Sequence, residues 1–323
     1  MVRKKKFGFV SWLIATVWMT SACAPAAAPT PAPAAAEAVL RVLAVETFLA
    51  DIAQNVAGDR LQVAALMPIG VDPHSFEPTP QDVARVADSD VLIVNGAGFE
   101  GFLGELLQNA GGQRQVIEAA AGLAPRTPQG QEVGEQHQDE AKDEYGHAGD
   151  PHFWLDPKNV IQYVENIRAG LSQADPDAAP VYAANAQAYI AQLEELDKWI
   201  TEQVQQVPQE RRLLVTNHES FGYFADRYGF KIVGAIVPSI SPTAAPSAQQ
   251  LAELIDRIKA TGAPAIFLET GTSPQLAQQV AAETNVKLVT GLYSHSITVA
   301  DGLAPTYIDM IKYNTLAIVG ALR

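Results

Sequence analysis

The sequence predicts an α/β protein of two lobes, each a mainly parallel four-stranded sheet flanked by helices, joined by one long helix. Three observations lead there. Short β-rich runs alternate with helical stretches in both halves of the chain, an alternation that implies parallel strands covered on both faces. The order of elements is the same in the two halves, although no sequence repeat is visible. Between them Tyr182, Ala186, Tyr189, Leu193, Leu196, Ile200, Val204 and Val207 recur every three or four residues. That stripe is the core face of a helix, which at about 1.5 Å per residue is long enough to span a small domain. A length of 323 residues agrees with about two domains, each able to bury a core.

The first residues stand apart from that pattern. Arg3 to Lys6 are basic, Phe7 to Met19 apolar and Thr20-Ser21-Ala22 small, so residues 1–22 read as a secretory signal, too short in its apolar part for a membrane anchor. Cys23, the only cysteine, excludes an internal disulfide. Its place after small residues resembles a lipobox, in which cleavage leaves a lipidated cysteine that holds the protein to a membrane; ordinary cleavage at Ala22-Cys23-Ala24 is the alternative. Residues 23–38 are rich in alanine and proline and read as an extended tether. Without the signal the chain keeps 18 Lys+Arg against 36 Asp+Glu. An acidic surface of this kind disfavours nucleic acid and anionic lipid, and tolerates cations.

The N-terminal lobe, residues 39–175, begins with a strand at Val39–Val45, a helix at Thr47–Ala57 and a strand at Leu61–Met67. A helix at Thr79–Ala87, a strand at Val91–Val94, a helix near Phe99–Asn109 and a strand at Gln115–Ile117 follow. Residues 127–150 then carry seven acids, His137 and His147 and almost no apolar side chain. They form either a solvated loop or a weak metal-collecting one. A helix at Lys158–Gln173 precedes the linking helix, residues 176–207. The C-terminal lobe, residues 208–323, has strands at Leu213–Thr216, Lys231–Val237, Ala265–Leu268 and Val286–Val289. Helices near Ser220–Tyr228, Pro246–Ala260 and Pro274–Thr284 separate them, and one from Pro305 to Leu322 closes the chain.

Four of the six histidines sit in turns after strands: His74 in Asp72-Pro73-His74, His152 in Asp150-Pro151-His152, His218 in Asn217-His218-Glu219 and His295 in Ser294-His295-Ser296. Ligands of open parallel sheets collect beyond the carboxyl ends of the strands, and each lobe supplies two of these turns. A cleft between the lobes would therefore join all four. Neutral imidazoles at about 2.0–2.1 Å complete a tetrahedral shell suited to Zn2+, whereas Mn2+ prefers oxygen-rich sites. Asp72, Glu77, Asp150, Asp156 and Glu219 are candidates to accept a hydrogen bond from the far nitrogen of a ligand ring. A hydrolase reading would need three histidines, a metal-bound water and Glu219 or Glu269 as base, but no H-E-x-x-H pairing is present.

The segments Gly70-Val71-Asp72-Pro73-His74-Ser75-Phe76-Glu77-Pro78, Asp150-Pro151-His152-Phe153-Trp154-Leu155-Asp156-Pro157 and Thr216-Asn217-His218-Glu219-Ser220-Phe221-Gly222 resemble the signature segments of ZnuA/TroA-like proteins. These are substrate-binding components of bacterial ABC importers for zinc and manganese, and the similarity runs from about Leu40 to the C-terminus. The resemblance implies two α/β lobes on one long helix, with metal in the cleft held by His74, His152 and His218. It implies an ABC permease with its ATPase subunit as partners, a location in the periplasm or on the outer face of the cytoplasmic membrane, a monomer, and no enzymatic activity. Zn2+ is the expected cargo, with Mn2+ or Fe2+ as the alternative, since manganese members often carry glutamate where His218 stands. Relatives have aspartate where this chain has His295; either the histidine ligates in its place, which is the expectation, or water fills the position. Surface adhesion, sometimes attributed to such lipoproteins, has no visible motif.

Overall fold

The computed structural model describes residues 40–127, 149–239 and 245–323, together with Val2 and Gly8. The predicted signal, Cys23, the tether, and His137 and His147 of the acidic loop lie outside the described residues. Among the described residues no helix is long and apolar enough to cross a membrane. Residues 39–323 form one compact unit.

Its first half is built on four parallel strands, β1 (Val42–Ala44), β2 (Val63–Ala65), β3 (Val91–Val94) and β4 (Gln115–Glu118), in the order β2-β1-β3-β4. Side chains on a strand alternate between faces, and the alternation is plain in β1 and β3. Val42, Ala44, Val91 and Ile93 enter one apolar cluster, while Leu43, Leu92 and Val94 enter another on the opposite side. Both faces are covered, as an all-parallel sheet requires. Helices α1 (Thr47–Ala57), α2 (Pro80–Asp88) and α3 (Leu103–Ala110) connect these strands. The start of α2 is fixed by a capping box, in which Thr79 and Asp82 satisfy each other's backbone N–H, with Pro80 in the first turn.

Helix α4 (Pro157–Ala174) leads to α5 (Ala179–Val204), whose 26 residues span about 39 Å. The predicted stripe from Tyr182 to Val204 is buried throughout. The prediction began this helix at Pro176, but Pro176–Ala178 forms a separate short 3-10 turn.

The second half carries β5 (Leu213–Thr216), α6 (Gly222–Tyr228), β6 (Lys231–Ala235), α7 (Ala248–Thr261), β7 (Ala265–Glu269), α8 (Gln275–Thr284), β8 (Lys287–Leu292) and α9 (Tyr307–Leu322). Its four strands pair as two parallel ladders, β5 with β6 and β7 with β8. The β7/β8 register shifts at its end, where Glu269 pairs with Leu292 and Gly291 is skipped at φ 89°. Such bulges re-aim the residues beside them, and Glu269 is the last residue of β7. One large apolar cluster joins residues of α1, α4, α5 and α9 with both sets of strands, and so runs through both halves.

Candidate metal centre

Each of the four histidines is placed by local backbone chemistry. Asp72 caps the 3-10 turn Pro73–Ser75 by accepting the N–H of His74 at 3.0 Å. Asp150 does the same for His152, accepting its N–H at 3.0 Å, and also receives its ring Nδ1 at 2.7 Å. His218 leaves β5 in a turn in which its carbonyl accepts the Thr216 hydroxyl at 2.7 Å and the Ser220 N–H at 2.9 Å. His295 follows β8 in a loop pinned on one side by Asn314, which bonds both backbone groups of Tyr293. On the other side the Trp154 indole donates to the Ser294 carbonyl at 2.7 Å.

The structure brings all four together. Their ring centroids are 5.4, 5.6, 5.2, 5.3, 5.4 and 5.2 Å apart, taking every pair in turn. Six nearly equal distances among four points define a near-regular tetrahedron. A metal bound at about 2.05 Å to each ring places the centroids roughly 5.2 Å apart, so the observed edges match that figure. The Nε2 atoms of His74 and His152 are 3.3 Å apart, and one nitrogen from each of the four rings lies within 4.8 Å of all the others. His152 and His218 are fully buried, while His74 and His295 are half-buried.

Of the five predicted carboxylate partners, only Asp150 meets a ring. Asp72 is spent on the His74 turn, and Asp156 caps α4 by accepting the Lys158 N–H at 2.8 Å. Among the described residues, Glu77 and Glu219 hydrogen-bond to none of the four rings. The second carboxylate is Glu269, expected from the sequence only as the base of a hydrolase. Its Oε1 is 3.0 Å from His218 Nδ1 and its Oε2 is 3.7 Å from His295 Nδ1. Among the described residues neither ring nitrogen of His218 makes a hydrogen bond that meets full geometric criteria, so the contact with Glu269 is an electrostatic one. Ser220 donates to Glu269 at 2.9 Å, and Ser294 donates to its other oxygen. The signal for Glu269 is present in the sequence: a lone acid ends the otherwise apolar strand Ala265-Ile266-Phe267-Leu268.

The electrostatics follow from burial and neighbours. Burial alone would raise the Glu269 carboxyl; His218 beside it reverses this and holds it down at about 2. Burial opposes a charge on His218, but Glu269 prevails and raises its pKa. Burial holds His74 well below the usual histidine value, helped by His152 and His218, and it holds His295 low as well against the pull of Glu269.

An apolar wall stands beside the rings. Phe99 lies 5.1 Å from His74 edge-on and 5.9 Å from His295 in a stacked pose, and Trp154 lies 5.2 Å from His152. The loop that delivers Phe99 takes three successive positive φ values, Gly96 at 83°, Ala97 at 53° and Gly98 at 78°. Ala97 pays for that conformation with about 1 kcal/mol, offset where the Asn95 and Gly96 N–H groups donate to the Glu100 carboxylate.

Solved structures share this architecture. The periplasmic zinc-binding protein TroA from Treponema pallidum superposes with a TM-score of 0.76 at 28% identity, over 88% of this chain and 99% of its own. An Mn-bound periplasmic metal-binding protein from Candidatus Liberibacter asiaticus gives 0.76 at 28% identity, over 88% of this chain and 100% of its own. By sequence, the manganese-binding lipoprotein MntA of Halalkalibacterium halodurans is 35% identical over 88% of each chain. The iron-binding protein YfeA of Yersinia pestis is 32% identical over 84% of this chain and 83% of its own. Residues 42–321 match the family model of ZnuA, the periplasmic component A of a zinc-uptake complex, and the chain belongs to that family.

Proposed function

We propose that this protein is the extracytoplasmic metal receptor of a bacterial ABC importer, and that its cargo is Zn2+ bound by His74, His152, His218 and His295. The observation that carries the reading is the set of six near-equal ring separations, 5.2 to 5.6 Å. Four imidazoles at the corners of a tetrahedron suit Zn2+, and a centre without an oxygen donor in contact with the metal is poor for Mn2+. Glu269 and Asp150 place two carboxylates behind the rings, which offsets the two charges of the ion. A shell closed by four protein ligands leaves no position for a metal-bound water, so the centre binds and does not hydrolyse.

The permease and its ATPase subunit are the partners this role requires. Residues 39–175 and 208–323 act as two lobes on the linking helix, and the metal sits between them. Lipid on Cys23, with residues 23–38 as tether, would hold the receptor to the membrane, a reading supported by relatives named as lipoproteins.

A second reading keeps the carrier and changes the cargo to Mn2+ or Fe2+, because similar proteins are named as manganese- and iron-binding. Metal analysis of protein purified without chelator, followed by competition between Zn2+ and Mn2+, separates the two. The expected result is one Zn2+ per chain that a hundredfold excess of Mn2+, on the order used for weak competitors, fails to displace. Retention of Mn2+ in preference to Zn2+ would overturn the zinc assignment. Loss of stoichiometric binding in His295→Ala would support ligation by that ring over completion by water.

A further inference from the structure

Arg126 makes contacts that the four histidines alone do not explain. It stands just before the acidic loop, and its backbone forms an isolated antiparallel bridge to Asp150. The Asp150 N–H donates to the Arg126 carbonyl at 3.0 Å. Its guanidinium then reaches into the second half. Nε donates to Asp226 Oδ2 at 2.9 Å and Nη2 to Oδ1 at 3.5 Å, while Nη1 points back to Asp150 Oδ2 at 3.4 Å. Tyr223, on α6 with Asp226, accepts the Arg126 N–H at 3.0 Å and donates its hydroxyl to the Asp150 carbonyl at 2.6 Å. Asp150 is thus held from the second half by two routes, while its other oxygen, Oδ1, meets both the His152 N–H and the His152 ring, the latter at 2.7 Å.

The sequence makes room for this arrangement at Gly222. A Cβ there would lie 2.0 Å from Arg126 Nη1 and 2.4 Å from its Cζ, so the guanidinium lies against bare backbone at the start of α6. The turn that carries His218 runs directly into the same helix. Arg126 therefore touches a chain of contacts linking a histidine of one half to a histidine of the other.

We propose that Arg126 is a positioning residue, a clasp between Asp226 and Asp150 that fixes the His152 ring from the opposite half of the molecule and slows release of the bound metal. The proposal rests on the reading of the four histidines as a metal shell. A carboxylate that orients a ligand histidine is worth roughly 10- to 100-fold in metal affinity, and Arg126 acts one step further back, on that carboxylate. Because the clasp holds a formed site together, its loss falls on dissociation and leaves association nearly unchanged.

The test is stopped-flow release of Zn2+ from the full chain into excess chelator. Arg126→Gln and Asp226→Asn are expected to release Zn2+ roughly tenfold faster than the unmodified chain, with association within about threefold. Asp226 is half exposed, so its variant reports on the clasp without a buried lesion. Gly222→Ala, which displaces the guanidinium and changes no charge, is expected to act in the same direction. In an Asp150→Asn background Arg126→Gln should add no further acceleration, since both act on one carboxylate; a merely structural role would multiply the two effects. Release at the unmodified rate in both Arg126→Gln and Asp226→Asn, or full multiplication in the double variant, would overturn the clasp. Failure of the unmodified chain to retain Zn2+ would instead overturn the metal reading itself, and the clasp with it.

Discussion

Glu269 in the second half and Glu46 in the first are almost equally buried, 3% and 1% exposed, yet their surroundings push them in opposite directions. Glu269 faces two imidazoles and two hydroxyls, and stays ionised with its pKa at about 2. Glu46 faces Glu100, and neither of its oxygens meets a donor from another group. Burial raises Glu46 well above the carboxylate range, with Glu100 adding repulsion, and burial carries Glu100 to about 7 although it accepts two backbone N–H groups. Two carboxyls in that position oppose each other's ionisation and keep their protons to higher pH. Burial alone therefore says nothing about the charge of an acid; the neighbours decide it. The second half keeps a negative charge where a cation is to be held. The first half keeps a neutral pair behind the loop that carries Phe99.

The comparison can be broken in four places. His218→Ala removes both a ring of the tetrahedron and the group that keeps Glu269 charged. Zn2+ affinity is expected to fall roughly a thousandfold or more, about a quarter of the 10–16 kcal/mol of a four-ligand zinc site, as measured by chelator competition. Glu269→Gln leaves the rings in place and removes the shared carboxylate. A loss near the upper end of the 10- to 100-fold range is expected, because one change touches two histidines. Asp150→Asn touches one histidine, so its loss should lie near the lower end, roughly tenfold. Equal losses in these two variants would remove the distinction between the halves.

The smallest effect concerns the neutral pair and is read without metal. A carboxyl whose folded pKa is raised contributes stability that is fully present below about 4.5 and is lost as pH rises through about 7. Glu46→Gln keeps the shape and removes the proton that must be held. Thermal melts are expected to show the variant more stable than the parent at pH 8 by on the order of 1 kcal/mol, with little difference at pH 5. Glu269 works in the opposite sense, its contribution being present above about 4.5 and lost as pH falls toward about 2. A Glu46→Gln gain that grew as pH fell would contradict the raised pKa of the pair.

Much of this was legible in the chain. The β-rich runs that became β1 and β3 and the apolar stripe on α5 are local signals, and the elements formed where these signals lie. His74 and His152 were legible because an aspartate and a proline precede each and leave the backbone few other conformations. The supporting carboxylates were not. Asp72, Asp150 and Asp156 occur in near-identical turns, yet only Asp150 reaches a ring, and Glu269 lies 51 residues after His218 in the chain. Which acid meets which ring depends on how β7 and β5 lie side by side, and on a bulge at Gly291 that no local pattern announces. Arg126 was hidden for the same reason, since its partners in the two halves are 24 and 100 residues away.

Trp154 offers a use for the geometry. It is wholly buried, stacked on Phe48 at 4.5 Å, and lies 5.2 Å from His152 and 6.0 Å from His295. An ion held by these two rings would change the surroundings of the indole, so its emission is expected to report occupancy. Excitation of this indole in a chain lacking residues 1–22, which carry Trp12 and Trp18, with Trp199 replaced by phenylalanine, would follow loading and unloading in real time without any dye.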